Sequence, residues 1–217
     1  MDDVRVRDGV LTDLGTNISP DLNAVAGEHA TQYLGVLIAE SNVREQALRE
    51  GKWPDYSAGL SQVIAPNLGY GTYQKEATPS QKAAYRAYMF EPANAIREGW
   101  RYYKVALDKH GDPLWAALGY NRGPSYTTEQ LKEQVATQPA IASRFERYRQ
   151  SLLQAEAYAM TDEFVVGEGV RAKMAERGDV PRSDENYVRP NISETFGDKG
   201  VYYYYAVTNE THAAPFE

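Results

Sequence analysis

The chain has 217 residues, a net charge of −7, 42% hydrophobic residues and no cysteine. That length allows one domain of about 150 residues with a real core plus an extension, and excludes two large domains. The charge disfavours a polyanionic partner, so no nucleic acid is expected. The lack of cysteine excludes disulfides and thiolate catalysis, and no apolar run approaches the roughly 18 residues of a membrane span.

Met1–Val10 carry three acidic and two basic side chains and lack the apolar stretch of a secretory leader. Residues 1–18 show no sustained period and are expected to form an N-terminal arm. Ser19, Pro20 and Asp21 then read as a cap followed by proline, which predicts a helix from about Pro20 to Glu40. Tyr33, Leu34, Leu37 and Ile38 form its apolar stripe and leave Glu40 at the C-terminal end. Between Gly51 and Gly71 the helical period is lost while Gly, Pro, Asn and Asp accumulate, as in a loop or small β-hairpin that builds a site wall.

Helical patterning returns over Pro79–Tyr88 and Pro92–His110, the second with Ile96, Trp100, Tyr103 and Leu107 on its buried face and Gly111 as its stop. Asp112 and Pro113 open a short helix to Tyr120, which ends at the Asn121-Arg122-Gly123-Pro124 turn. Thr127–Val135 and Pro139 to about Asp162 predict two more helices, the last with Ile141, Phe145, Tyr148, Leu152 and Ala155 on one side. Tyr103 and Tyr148 fit these stripes as core residues. Residues 163–217 are richer in Gly, Pro and charge and are read as an extension, with one strand candidate at Val201–Val207. The spacing of His29, His110 and His212 assembles no metal site, and His110 is accounted for by the dipole at a helix end. No metal and no cofactor are expected.

Four short segments follow one another in a characteristic order: Ala39-Glu40-Ser41; Gly59-Leu60-Ser61-Gln62-Val63; Phe90-Glu91-Pro92-Ala93-Asn94-Ala95-Ile96 with Gly99 beyond; and Ala117-Leu118-Gly119-Tyr120-Asn121-Arg122-Gly123-Pro124. This set resembles the soluble lytic transglycosylase and goose-type lysozyme families of the lysozyme-like superfamily, whose patterns run ES, GLMQ, P-x-x-N-I-x-x-G and AYNxGxG. Ser61 stands where the family usually has methionine, and Gly119 where it has alanine. The Gly51-Lys52-Trp53-Pro54-Asp55 stretch is similar to the goose-type G-W-G-D. The resemblance implies a mainly α, lysozyme-like fold over residues 19–162, with a small β or loop lobe at about 51–72 and an extended C-terminal tail. It implies peptidoglycan glycan strands as substrate.

Cleaving a glycosidic bond needs a carboxylic acid that still holds its proton, which an apolar setting favours. Glu40, behind Leu37 and Ile38, stands in such a setting. In lytic transglycosylases, as the resemblance implies, one glutamate protonates the bond between N-acetylmuramic acid and N-acetylglucosamine. It then takes the proton of the muramic C6 hydroxyl, closing a 1,6-anhydro ring. An inverting lysozyme instead uses a second carboxylate, about 6.5 to 9.5 Å from the first, to activate water. Asp55 is the candidate for that role. Gly59, Gln62, Tyr120 and Asn121 match the glycan-contacting positions, and Ser41 accompanies them, chiefly as a helix-end residue.

A wall enzyme without a leader suits a bacteriophage, either as a virion component acting during genome entry or as an endolysin released through a holin. The tail is expected to dock on other virion proteins. The rival reading is a structural virion protein that keeps the fold without turnover.

Overall fold

The computed structural model describes Val6, residues 9–160 and the short strands Val201–Tyr202 and Pro215–Phe216. The described chain is mainly helical. Its order is α1 (Ser19–Ala26), a 3₁₀ turn (Gly27–His29), α2 (Ala30–Ser41), β1 (Leu48–Glu50), β2 (Tyr56–Ala58), a second 3₁₀ turn (Ala65–Leu68), α3 (Pro79–Met89), α4 (Pro92–His110), α5 (Pro113–Arg122), α6 (Thr128–Thr137), α7 (Pro139–Met160), β3 (Val201–Tyr202) and β4 (Pro215–Phe216). No helix among the described residues is long and apolar enough to cross a membrane.

Helix starts follow local chemistry. Pro occupies the first turn of α3, α4 and α5, where its missing N–H costs nothing. Thr78 and Thr127 each close a reciprocal capping box, with Gln81 and Gln130 respectively. Asp112 accepts the backbone N–H groups of Leu114 and Trp115 at the start of α5. That helix continues through Arg122, so Asn121 sits on helix and not in the following turn.

The single helix expected from Pro20 to Glu40 is two. Gly27 adopts φ +53° and ends α1, and the chain restarts through the 3₁₀ turn. Ser19 is not the cap; the Ile18 position precedes the helix, and the buried Ser19 hydroxyl accepts the Val10 N–H at 2.9 Å. That bond ties Val10, in the described part of the expected N-terminal arm, to the start of α1. Val6, Val10 and Ile18 lie in the core, and the buried Thr12 hydroxyl donates to the Glu45 carboxylate.

The main core is built around α2, which is buried on nearly all sides. Its most extensive partner is α7. Gly35 allows the approach, since a Cβ there would meet the Leu152 Cα at 2.8 Å. Five residues further along α2 is Glu40, whose carboxylate meets Tyr148, four residues earlier on α7. The two helices are therefore antiparallel, and their pairing delivers a side chain of α7 to the end of α2.

The expected β or loop lobe begins three residues earlier than the loss of helical period, as an antiparallel hairpin pairing Leu48 with Ala58, Arg49 with Ser57 and Glu50 with Tyr56. All of β1 is exposed and all of β2 is buried. Of the proposed 163–217 extension, the described part is the antiparallel pair of β3 and β4. The rest of the Val201–Val207 strand candidate lies outside the described residues, as do His212 and most of the extension.

Candidate active site

Glu40 ends a helix whose last turns are apolar and buried, and its side chain is buried with them. It is 3% exposed. Directly after it the backbone turns through two consecutive left-handed residues, Asn42 at φ 53° and Val43 at φ 54°. Asparagine tolerates this conformation, whereas a β-branched valine is strained in it. Val43 is fully buried, which holds the strained turn in place. Arg44 secures the same corner by donating its N–H and its Nε–H to the Ser41 carbonyl. The Ser41 hydroxyl donates back to the Leu37 carbonyl at 3.0 Å, so Ser41 finishes the helix.

Three side chains converge on the Glu40 carboxylate. The Tyr148 hydroxyl donates a hydrogen bond to Oε1. Arg49, central in β1, brings Nη2 to 3.8 Å from Oε2. Tyr120 of α5 lies near enough for the carboxylate charge to act on its phenol. Burial first, and then the Glu40 charge, push the Tyr148 phenol well above the ordinary tyrosine range. Burial likewise raises Tyr120, with Tyr33 and then Glu40 adding to the shift. Both phenols thus keep their protons at any working pH and serve as fixed donors.

Tyr120 spends its proton on the hairpin side, donating to the Ser61 carbonyl at 2.5 Å. Its neighbour Asn121 accepts a hydrogen bond from Arg144 of α7. The two motif residues therefore cross-link α5 to the segment after β2 and to α7. They place the site walls relative to one another.

The segment after β2 is fixed just as firmly. Gly59 has φ +74°, and a Cβ there would lie 1.9 Å from the Met89 carbonyl oxygen. Gln62, itself at φ 52°, is buried and turned inward. Its amide donates to the Ala47 and Gly59 carbonyls at 3.1 and 2.8 Å and accepts from Ser57 at 2.8 Å. Both amide protons are used, so the side chain pins the hairpin; the sequence expectation of a glycan-contacting Gln62 has no free donor behind it.

Asp55 occupies the hairpin's turn and is exposed. Its backbone N–H donates to Lys52 and its carbonyl accepts from Gly51. Among the described residues its carboxylate makes no hydrogen bond or ion pair.

Ser61 and Gly119, which differ from the motifs the sequence resembles, both stand in tight surroundings. Ser61 packs against Gly99, where an added Cβ would lie 2.3 Å from the Ser61 Cβ and from the Tyr33 hydroxyl, so a short side chain suits the contact. Gly119 faces His110: a Cβ would sit 2.5 Å from Nε2. The His110 ring bonds Thr128 through Nδ1 at 2.8 Å and leaves Nε2 buried without a partner. Its role is thus to pack between α4, α5 and α6, beyond the helix-end reading. Desolvation, and then Lys109, lower its pKa, with Glu129 opposing. A histidine held neutral in this way adds stability above its unfolded pKa of about 6.5, and that stability is lost as pH falls through the lower folded value. Thermal melting between pH 7 and 4 is expected to show a shallower acid limb for His110→Gln than for the parent protein.

Tyr148 and Arg49 are the site residues missed in the sequence. Tyr148 stands on the apolar stripe of α7, and nothing in that pattern marks its hydroxyl as directed at Glu40. Arg49 precedes the glycine-rich stretch and belongs to none of the four segments. An open cavity of about 410 Å³ lined by Glu76, Ala77, Pro79, Lys82 and Arg86 contains none of these residues. Among the described residues no three His, Asp or Glu side chains group as a metal site. Comparison with protein-family models, curated proteins and solved structures gives no match to this chain.

Proposed function

We propose that the chain is a peptidoglycan lytic transglycosylase of lysozyme-like architecture, with Glu40 as its acid and base. The observation that carries this reading is one buried carboxylate at the end of the central helix, held by a phenol of α7 and close to the motif residue Tyr120. Glu40 ends the central helix, Tyr148 donates to it, and Tyr120, within reach of its charge, ties α5 to the Ser61 carbonyl. A lone carboxylate fixed by a neutral phenol suits a mechanism in which one group gives a proton and takes one back.

The step is balanced without water. Glu40 donates its proton to the glycosidic oxygen between N-acetylmuramic acid and N-acetylglucosamine as the bond to the muramic C1 breaks. The carboxylate so formed accepts the proton of the muramic C6 hydroxyl while that oxygen bonds to C1. The products are a free hydroxyl on the leaving sugar and a 1,6-anhydro muramyl end, and Glu40 is again protonated. Tyr148 keeps the carboxyl in one orientation through both transfers.

Among the described residues, Glu40 is the carboxylate that acts on both Tyr120 and Tyr148, and Asp55 lies exposed in a turn. This favours the single-carboxylate reaction over hydrolysis. The place of action is the bacterial wall, reached as part of a phage virion whose other proteins hold the enzyme through its C-terminal extension. A pre-positioned enzyme needs no electrostatic steering, which suits a net charge of −7 at an anionic wall. Purified sacculi incubated with the protein are expected to release muropeptides with anhydro ends, identified by mass spectrometry. A protein that binds sacculi without releasing fragments has the fold's structural role instead.

A further inference from the structure

The chain is acidic overall, yet the surroundings of Glu40 are basic. Arg49 approaches from β1, and Arg144 and Arg147 of α7 lie close enough to act on the Tyr148 phenol. These three guanidinium groups are not equally committed. Arg144 donates to Asn121, and Arg147 lies 5.7 Å from the centre of the Tyr148 ring. The Arg49 guanidinium makes no hydrogen bond among the described residues. Its 3.8 Å separation from Glu40 Oε2 is beyond hydrogen-bond reach, and the other Glu40 oxygen already accepts from Tyr148. The Arg49 side chain is 43% exposed, on a strand that is exposed throughout. Five N–H donors in a planar fork therefore stand open beside the reacting carboxyl, in the arrangement suited to a second, incoming carboxylate.

We propose that Arg49 is a specificity residue that binds a carboxylate of the peptide stem on the muramyl unit at the scissile bond. This rests on the glycan-cleaving reading of the same site. A homopolymer of N-acetylglucosamine offers a guanidinium only neutral acceptors, whereas the muramyl unit carries an anionic peptide through its lactyl ether. A bidentate pair with that carboxylate gains two charge-assisted hydrogen bonds, against none in the resting contact with Glu40. The stem thus draws Arg49 off Glu40 while Tyr148 continues to hold the acid. The result is that the cation is displaced from the catalytic carboxyl only when the correct strand is seated.

The test uses the whole chain, its Arg49→Ala and Arg49→Lys variants, and soluble glycan strands in two forms: native, and with all stem carboxylates converted to methylamides. Both kcat/KM and equilibrium binding are measured. The parent protein is expected to prefer native strands by about tenfold, the order of one charge-assisted contact. Arg49→Ala loses that preference by slowing on native strands, and Arg49→Lys restores part of it. Equal use of both strands by the parent protein, or an unchanged preference in Arg49→Ala, overturns the assignment. Cleavage without an Arg49-dependent preference leaves the glycan-cleaving reading standing and removes this one. An Arg49-dependent preference in binding without any cleavage removes the transglycosylase reading and keeps the recognition role.

Discussion

Glu40→Gln is expected to lower glycan release by about 10²- to 10⁴-fold, the range of a positioned general acid, while the protein keeps its fold and its affinity for strands. Glutamine matches the shape of glutamate and still offers Tyr148 an acceptor, so the α2–α7 junction survives. What it cannot do is give a proton to the glycosidic oxygen. Tyr148→Phe makes the informative contrast: the acid remains, but the hydroxyl that fixes it is gone. A smaller loss of about tenfold is expected there, seen in kcat more than in KM, because orientation and not substrate binding is affected. Muropeptide release by the two variants, measured beside their melting curves, checks both expectations. Equal activity of Glu40→Gln and the parent protein would remove Glu40 from the chemistry.

The second large effect is on stability. Gly59→Ala is expected to cost about 3 kcal/mol or more, since it combines a left-handed backbone with a collision against main chain. Gly59 stands at φ +74°, and the added methyl would lie 1.9 Å from the Met89 carbonyl and 3.3 Å from the Ala95 Cβ. Neither neighbour is the free end of a side chain. Relief requires moving the α3–α4 junction or the segment after β2, and Gln62 anchors the latter through the Gly59 carbonyl. Urea unfolding of the variant should show a lower midpoint with a similar slope. A midpoint within experimental error of the parent protein would mean that this contact is easily relaxed.

Elements with chemical punctuation were legible in the sequence. Pro79, Pro92, Asp112, Thr127 and Pro139 each mark a start that does not depend on the rest of the fold, and α3 to α7 begin within one residue of where those residues place them. The break at Gly27 was not legible, because Glu28 and His29 continue a pattern compatible with one long helix. Ser19 misled for a related reason: a serine before proline has the form of a cap, yet its hydroxyl serves a tertiary contact with Val10. The irregular residues 9–18 carry no period, so the burial of Val10, Thr12 and Ile18 had no sequence signal.

The site was legible in part. Glu40 stood out because an acid closed an apolar stripe within an ordered set of motifs, and the structure buries it there. In their described contacts the motif positions Gly59, Gln62, Tyr120 and Asn121 bond backbone or another protein side chain. Composition cannot separate a residue that touches a ligand from one that holds the wall of its cleft. Tyr148 shows the converse, since a tyrosine on a helix stripe is core by pattern, and only the antiparallel packing of α2 on α7 directs its hydroxyl to Glu40.

The proposed mechanism has one carboxyl cleave the strand with no water consumed. It is tested most directly by digesting purified peptidoglycan in water enriched in ¹⁸O and examining the new muramyl ends by mass spectrometry. The mechanism built on Glu40 predicts anhydro ends that carry no ¹⁸O. Reducing ends labelled with ¹⁸O would contradict it, showing that water attacks the muramic C1 and that a second base, with Asp55 the first to replace, acts beside Glu40.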